Sequence, residues 1–313
     1  MPVIDESKKQ AWLEKRRKFV TGTDAAAILG ISKWSSPLSV WRSKRGEDDM
    51  VPETEAMYWG KKLERSILER YAEVQGCRME YCDAYELRTS PEYPRLGASL
   101  DGFNLDLGCP VDAKNIRVKG PEWGDEGSDG IPGYYRTQLA VQMAVTGAPM
   151  AHLAVLFSGQ EFRIYQVMRD DGLIEKIAAE ADRFWETVES GEMPEPTGCE
   201  ADTEWLKSRF ADGDPEATAE ATPEILKHAE RYREAAAREK AAKEEKDLHA
   251  NAIKARMGEA SAIPGVCTWK NSKDGTETDW KAVAQSFASD PAYAGIVELN
   301  TRTKKGVRRF VLR

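Results

Sequence analysis

The segment LGASLDGFNLDLGCPVDAKN, Leu96–Asn115, decides the fold of this chain. Two short apolar runs flank the turn-forming residues 108–110, and this pattern predicts two antiparallel strands joined by a turn. Side chains two positions apart on a strand point to the same face, so Asp112 and Lys114 share a face. The hairpin also brings Asp101 toward Asp112. The segment therefore predicts two carboxylates and one ammonium at a strand end.

Such a group of charges has two interpretations. An isolated Asp-x-Lys pattern is usually a surface salt bridge, which contributes little to stability. The alternative is a site for a hard cation, in which carboxylate oxygens hold Mg²⁺ and a nearby lysine orients or deprotonates the attacking water. The segment by itself does not separate the two interpretations, so the rest of the chain must do so.

The composition indicates a folded, enzyme-sized protein. The chain has 313 residues, of which 41% are hydrophobic and 9% aromatic, and these values suit a globular protein with one large core. No stretch approaches the roughly 18 consecutive apolar residues of a membrane span. The first ten residues, MPVIDESKKQ, carry acids and lysines where a signal peptide needs an apolar run. We therefore expect a cytoplasmic protein with no membrane partner.

Cysteines and histidines offer little for metal binding or nucleophilic catalysis. The five cysteines are scattered and contain no Cys-x-x-Cys pair, which predicts reduced thiols and argues against a zinc ribbon or an iron–sulfur cluster. Only three histidines are present, so catalytic triads and histidine-rich metal sites have few candidates. Carboxylates are therefore the expected metal ligands.

The net charge of −8 is distributed unevenly along the chain. Glu186–Glu224 holds twelve acidic and two basic residues, so this segment alone is more acidic than the whole chain and the remainder is slightly basic. Lys8–Lys18 and Arg302–Arg313 carry six basic residues each. Either basic run is explained by solvated surface alone, but both are available to bind phosphates.

The pattern of apolar and turn-forming residues predicts a mixed α/β core followed by appendages. Helices precede the hairpin, and a helix, two strands and a further helix follow it. Prolines and acids then indicate a linker, and an Ala-, Glu- and Lys-rich stretch without Gly or Pro indicates a long helix or helical arm. The predicted parts are a core at 1–193, a linker at 194–223, the arm at 224–258 and a small strand-rich module at 259–313.

Five motifs occur in an order that resembles the YqaJ-like viral recombinases, the lambda exonuclease group of the PD-(D/E)xK nucleases. The motifs are GTDAAAILGISKWSSPLSVWRSKRG, GKKLE, LGASLDG, VDAKN and YYRTQLAVQMAVTG. The resemblance covers roughly residues 12–190 and leaves the arm and tail poorly covered. It implies a restriction-endonuclease-like core, in which helices flank a central mixed sheet.

The resemblance implies a catalytic role for four residues. Asp101 and Asp112 would bind Mg²⁺, Glu64 would complete a second metal position, and Mn²⁺ could substitute for Mg²⁺. Lys114 would act on the nucleophilic water. Asp112 stands where the family more commonly has glutamate. Its shorter side chain can still bind a metal, but it could change the position of the metal and which metal the site prefers. Glu64 also has a simpler explanation, because its helix contains ordinary ion pairs one turn apart.

The resemblance also implies a pocket for the 5′-phosphate of DNA. Guanidinium, hydroxyl and amide donors together satisfy phosphate oxygens. The family positions fall on Arg16, Thr23, Ser99 and Gln138. Arg17 is adjacent and could take the role of Arg16, and Gln142 lies one helical turn from Gln138, where a surface amide is the simpler explanation. Lys33 matches a family arginine that approaches the minor groove, although an exposed loop lysine is an equally simple interpretation.

The implied activity is a Mg²⁺-dependent 5′-to-3′ exonuclease on double-stranded DNA. It would release 5′-mononucleotides and leave 3′ single-stranded tails for annealing-type recombination. The resemblance further implies a ring-shaped trimer or tetramer, a single-strand annealing protein as partner, and a phage or prophage origin in a bacterial host. Two alternatives remain open at this point: a structure- or sequence-specific endonuclease of the same superfamily, and an inactive DNA-binding or recombinase-loading module.

Overall fold

The computed structural model describes residues 6–47, 53–214, 216–273, 275, 277–290, 292–302 and 310. The chain divides into two compact units, Met1–Arg209 and Phe210–Arg313. Within the described residues, no helix is both long and apolar enough to cross a membrane. The first unit contains the predicted hairpin and all of the predicted site residues.

A five-stranded mixed sheet forms the centre of the first unit, in the order β1-β4-β5-β6-β7. Its central pair, β5 and β6, is parallel, and the other neighbours are antiparallel. A separate antiparallel pair is formed by β2 and β3. The strands are β1 (Met79–Tyr81), β2 (Arg88–Thr89), β3 (Gly97–Ala98), β4 (Gly102–Asn104), β5 (Cys109–Ile116), β6 (Met150–Phe157) and β7 (Glu161–Met168).

Helices cover both faces of this sheet and confirm the predicted α/β class. The helix α4 packs on one face against β5 and β6, whereas α5 connects these two parallel strands and packs with α2 and α6. The helices are α1 (Glu6–Arg16), α2 (Gly22–Ile28), α3 (Pro37–Arg45), α4 (Glu55–Gln75), α5 (Gly133–Thr146), α6 (Asp171–Ser190) and α7 (Glu200–Arg209).

The sequence of α4 shows why this helix lies on the sheet. Thr54 caps its first turn by accepting a hydrogen bond from the backbone of Met57, and Gly76 ends it in the left-handed conformation. Ile67, Leu68 and Tyr71 recur at helical spacing and are buried. They form one apolar cluster with Val111, Ala113, Ala154 and Ile164 of the sheet. This packing holds the helix that carries Glu64 beside β5.

The hairpin forms as predicted, but its turn lies earlier in the chain. Cys109 and Pro110 belong to β5 and pair with Asn104 and Phe103, so only Gly108 of the predicted turn residues lies outside the strand. The Asn104 side chain accepts hydrogen bonds from the next backbone amides, at 3.1 and 3.0 Å, and closes the turn directly after β4. Gly108 has φ +63°. The prediction of a turn at 108–110 was therefore wrong by two residues.

The other face of the sheet requires a close approach between α2 and α5. A Cβ atom on Gly22 would lie 2.7 Å from the Cα atom of Gln138, which leaves no room for a larger residue. The apolar core on this side includes Val20, Leu38, Leu139 and Tyr165. The start of α2 is therefore packed directly against the turn of α5 that carries Gln138.

The first unit extends beyond the predicted core boundary at residue 193. The helix α7 lies inside the predicted linker, and its Asp202 is 1% exposed. This carboxylate accepts hydrogen bonds from the Ser36 hydroxyl at 2.5 Å and from the backbone and hydroxyl of Thr197 at 2.7 and 2.8 Å. This buried polar residue, together with Trp205, which packs against the apolar core, attaches an otherwise acidic and proline-containing segment to the first unit.

The second unit contains the predicted long helix, α8 (Pro223–Met257), followed by fewer strands than expected. Between residues 259 and 302, the described part holds one pair of two-residue strands, β8 (Ala262–Ile263) and β9 (Cys267–Thr268), and two helices, α9 (Trp280–Ala288) and α10 (Ala294–Asn300). Asp279 caps α9 through the backbone of Ala282, so the run WKAVAQSFA becomes a helix. Apart from Arg302, the basic residues of the tail lie outside the described residues.

Candidate active site

Asp101 and Asp112 lie side by side at the end of the hairpin. Asp101 directly precedes β4, and its Oδ2 accepts a hydrogen bond of 2.9 Å from the backbone amide of Ala113 on β5. Ala113 stands between Asp112 and Lys114, so this bond fixes the first carboxylate against the strand that carries the other two groups. The antiparallel register of β4 and β5 thus produces the predicted juxtaposition.

Asp112 is the most constrained residue of the site. It is 1% exposed, and its Oδ1 accepts hydrogen bonds from the side-chain amides of Gln138, at 2.7 Å, and Gln142, at 2.9 Å. Its Oδ2 forms an ion pair with Lys114. Charged hydrogen bonds of this kind are stronger than neutral ones. Gln142 is therefore a buried partner of Asp112 rather than a surface amide.

The four predicted catalytic residues interact electrostatically. Burial raises the pKa of Asp101 to about 8, and the charges of Asp112 and Glu64 act in the same direction. Burial and Asp112 also raise the pKa of Glu64. Burial lowers the pKa of the Lys114 ammonium, but the negative charges of Asp112 and Asp101 have the larger combined effect. The pKa of Lys114 is therefore raised. The site therefore concentrates more negative charge than one lysine balances.

The donor set fits a hard divalent cation. Among the described residues, no three imidazole, thiol or carboxylate side chains are already arranged around one metal position. Carboxylate oxygens are nevertheless the ligands that Mg²⁺ prefers, and a cation would offset both causes of the raised pKa values of Asp101 and Glu64, which are burial first and the charge of Asp112 second. Asp101, Asp112 and Glu64 are the residues that could hold such an ion.

A cavity of about 220 Å³ adjoins these carboxylates, and it is hereafter called the phosphate pocket after the role predicted for its residues. Its lining combines one guanidinium, three hydroxyls, two amides and one indole with the carboxylate of Asp101. The four residues predicted to bind a phosphate, which are distant in sequence, all line it. They are Arg16, Thr23, Ser99 and Gln138.

Hydrogen bonds position the donors of the phosphate pocket. The Arg16 guanidinium lies 3.3 Å from the hydroxyl of Thr23, and its Cζ atom lies 5.4 Å from the ring centroid of Trp12. The Trp12 indole donates to the Ser99 hydroxyl at 3.0 Å, and this hydroxyl donates to the backbone carbonyl of Glu86 at 2.7 Å. The helix α1 and the β3 region therefore hold opposite sides of the pocket together.

A buried ion pair supports the start of α2, which forms another wall of the phosphate pocket. Asp24 accepts hydrogen bonds from the backbone and hydroxyl of Thr21, at 2.9 and 2.8 Å, and from the ammonium of Lys44 at 2.6 Å. The Lys44 side chain is 2% exposed. Burial alone would raise the pKa of Asp24, but the charges of Lys44 and Arg16 lower it to about 2.

This ion pair predicts a loss of stability in acid. The pKa of this carboxyl group is about 2 in the folded protein and 3.8 in the unfolded chain. The group therefore stabilises the folded state above pH 3.8, and this contribution is lost as the pH falls through about 2. The contribution is about 2 kcal/mol. We expect Asp24→Asn to remove this part of the pH dependence of the free energy of unfolding, measured with urea below about pH 5. An unchanged slope in the variant would contradict the assignment.

Two predicted DNA-contacting residues lie outside the phosphate pocket. Arg17 is exposed, and its guanidinium points toward Gly46, where an added Cβ atom would lie 3.7 Å from its Cζ atom. Lys33 donates to Glu122 at 3.0 Å, and its ammonium lies 5.4 Å from the ring centroid of Tyr134. The structure therefore brings Arg16, and not Arg17, to the pocket, and it places Lys33 elsewhere on the surface.

The structure also adds residues that the sequence patterns did not identify. Trp12 and Thr21 line the phosphate pocket, and the ring centroid of Tyr135 lies 5.7 Å from the ammonium of Lys114. The spacing of Gln138 and Gln142, one helical turn apart, was the signal that could have identified Gln142 as a second amide directed at the same target. No comparable spacing marks Trp12 or Tyr135.

These features define a mixed α/β protein with a buried carboxylate and lysine site beside a cavity lined by Arg16, and residues 11–149 match the YqaJ-like viral recombinase domain. Over this domain the chain is similar to the YqaJ-like viral recombinase family. The protein YqaJ of Bacillus subtilis strain 168, described as uncharacterized, is 32% identical over 216 residues. This match covers 66% of the present chain and 65% of the relative, which is less than two thirds of the relative's length.

Solved exonucleases match part of this chain at low sequence identity. The alkaline exonuclease LHK-Exo from Laribacter hongkongensis is 21% identical, with a TM-score of 0.46 over 64% of this chain and 97% of that chain. The phage related exonuclease from Haemophilus somnus 129PT is 12% identical, with a TM-score of 0.41 over 55% of this chain and 96% of that chain.

Proposed function

We propose that this protein is a Mg²⁺-dependent 5′-to-3′ exonuclease that acts on double-stranded DNA ends and releases 5′-mononucleotides. The observation that carries the proposal is the position of the phosphate pocket. Arg16, Thr23 and Ser99 line the same cavity as Asp101, and Gln138 both lines this cavity and donates to Asp112. A phosphate held there would lie next to the carboxylates that could hold a metal.

The size of the phosphate pocket favours recognition of a strand end. Its volume of about 220 Å³ is below the roughly 300–1,000 Å³ of sites that enclose a drug-sized ligand. A terminal phosphate group could enter such a cavity, whereas a continuous duplex could not. Binding of the 5′-phosphate would then fix which phosphodiester lies over the carboxylates, and this supports stepwise removal of nucleotides from the 5′ end.

The residues of the site have distinct proposed roles. When bound, divalent cations would lower the pKa of a water molecule and offset the charge of the scissile phosphate. Asp101, Asp112 and Glu64 would hold them, and Mn²⁺ could replace Mg²⁺. Gln138 and Gln142 would keep Asp112 in place through its Oδ1. Lys114, whose ammonium form is favoured by two carboxylates, would orient the attacking water by donating a hydrogen bond.

The setting of the proposed reaction follows from the family description, which names viral recombinases. The 3′ single-stranded tails produced by such an enzyme are substrates for a single-strand annealing protein, which we propose as a partner. A ring-shaped trimer or tetramer would let a modestly basic inner surface surround duplex DNA, because symmetry repeats the same charges around the phosphates. A cytoplasmic location in a bacterial host of a phage or prophage completes the proposal.

Digestion of linear duplex DNA with different ends tests the proposal. Substrates with 5′-phosphate, 5′-hydroxyl and covalently closed ends are compared in Mg²⁺, with Lys114→Ala as the inactive control. We expect mononucleotide release that favours 5′-phosphate ends and is abolished in the variant. Cleavage of closed circles would instead indicate an endonuclease. If no cleavage occurs with Mg²⁺ or Mn²⁺, the protein is a DNA-binding or recombinase-loading module.

A further inference from the structure

A second cavity, of about 630 Å³, adjoins the phosphate pocket and is hereafter called the rear cavity. Arg16 and Thr23 line both cavities, so these two side chains lie between them. The other walls of the rear cavity come from the loop before α3, from α3 itself and from α7. Its volume lies within the roughly 300–1,000 Å³ range of sites for small organic ligands.

The rear cavity contains a cation directed at an aromatic surface. The Cζ atom of Arg42 lies 4.9 Å from the ring centroid of Trp205, and both residues line the cavity. The Nε atom of Arg42 is buried and has no hydrogen-bond partner among the described residues. An unsatisfied buried donor costs free energy, and this cost would be relieved if the Arg42 side chain shifted to donate to a ligand that accepts a hydrogen bond. Trp34, which is 65% exposed, adds a second indole at the cavity.

Most acidic groups at the rear cavity are neutralised by neighbouring residues. Asp24 is paired with the buried ammonium of Lys44, and Glu204 is paired with Lys207 at 2.6 Å. Serine hydroxyls contribute further donors at Ser35, Ser39, Ser43 and Ser208. The positive charge comes from the guanidinium group of Arg42 and from that of Arg16, which also lies 3.9 Å from Asp24. This combination of indole surfaces, guanidinium groups and hydroxyls suits a ligand that has both an aromatic ring and a phosphate.

We propose that the rear cavity is a nucleotide-binding subsite. A base would stack on Trp205 or Trp34, and its phosphate would accept hydrogen bonds from Arg42 and Arg16. The inference rests on the proposed nuclease function for the source of the ligand, which is either the released 5′-mononucleotide or a nucleotide of single-stranded DNA. The lining that the two cavities share at Arg16 favours the released mononucleotide, because the same guanidinium would contact its phosphate in either cavity.

Equilibrium binding without metal tests this subsite separately from cleavage. Binding of dAMP to the full-length protein in EDTA is measured by calorimetry for wild type, Arg42→Gln and Arg45→Gln. Arg45 is a matched control, because it lies on the same helix with its Cζ atom 4.8 Å from the Trp41 ring centroid but does not line the rear cavity. Loss of a charged hydrogen bond should raise the Kd about tenfold in Arg42→Gln and less than about twofold in Arg45→Gln.

Further measurements distinguish the two ligand sources and control for variants that fail to fold. Tighter binding of dAMP than of oligo-dT identifies the mononucleotide as ligand, and the reverse order identifies single-stranded DNA. Trp205→Phe should retain affinity and Trp205→Leu should lose it, with folding checked by circular dichroism. Equal Kd values in the two arginine variants, inorganic phosphate that binds as tightly as dAMP, or no nucleotide binding would overturn the subsite. An enzyme that is inactive on DNA but binds nucleotides through Arg42 would refute only the proposed function.

Discussion

Asp101→Asn is expected to lower the rate of nucleotide release by about 10³-fold or more and, at the same time, to stabilise the metal-free protein. The activity falls because a neutral amide cannot balance a divalent cation. The fold should tolerate the change, since an asparagine oxygen can still accept the 2.9 Å hydrogen bond from Ala113. Stability should rise because the substitution removes one of three neighbouring acidic groups, those of Asp101, Asp112 and Glu64.

The sign of the stability effect follows from the raised pKa of Asp101. With a pKa of about 8 in the folded protein and 3.8 otherwise, the folded state keeps a proton that the unfolded chain has already released between these values. The free energy of unfolding of the wild type therefore decreases as the pH rises from 3.8 to about 8. Near neutral pH this cost is on the order of 4 kcal/mol, and the asparagine variant does not carry it.

Urea unfolding in EDTA at about pH 5 and about pH 8 measures this effect. Asp106→Asn is a suitable control, because Asp106 lies in the turn of the same hairpin, is exposed, and has a pKa lowered by hydrogen bonds from Arg78. The control should retain activity and the pH dependence of the wild type. An Asp101→Asn protein that cleaves DNA normally, or that loses stability with pH as the wild type does, would refute the role of Asp101.

The hairpin shows how far the sequence predicts this fold. Period-two alternation placed Asp112 and Lys114 on one face, and helical periodicity predicted the helices before and after the hairpin, because both patterns are local. The turn was misplaced, since its position depends on the Asn104 side chain, which accepts from two backbone amides. The core boundary was also misplaced, because contacts from two residues attach α7: Asp202 accepts from Ser36, and Trp205 packs against the apolar core. Contacts of this kind join residues that are distant in the sequence. They produce no periodic pattern from which they could be predicted.

The phosphate pocket shows the same limit at the level of the site. The family resemblance supplied Arg16, Thr23, Ser99 and Gln138, and the structure gathers them around one cavity. Adjacent residues at a helix end point in different directions, so sequence alone could not choose between Arg16 and Arg17. The sequence also gave no signal for Trp12, which contacts the pocket through an indole hydrogen bond to Ser99 that spans 87 positions of the chain.

Arg16→Gln is expected to reduce the preference for 5′-phosphate over 5′-hydroxyl ends by about 100-fold. Arg16 is the guanidinium that lines the phosphate pocket, next to the hydroxyl of Thr23. Arg17→Gln provides a matched control, because it removes the same charge one residue away from an exposed side chain near Gly46. The control should change the preference by less than about twofold, as exposed charges contribute little.

The ratio of kcat/KM values for the two kinds of end measures this preference and separates binding of the terminal phosphate from general affinity for DNA. If Arg16 only attracted DNA nonspecifically, Arg16→Gln would lower kcat/KM equally for both kinds of end. Arg17→Gln would then have the same effect as Arg16→Gln. Arg16→Lys adds a further distinction, because lysine keeps the charge but lacks the planar fork that pairs two phosphate oxygens. Partial recovery of the preference in this variant would show that both charge and geometry act at the pocket. A preference that is unchanged in Arg16→Gln would show that the 5′-phosphate binds elsewhere, and it would remove the observation on which the proposed polarity depends.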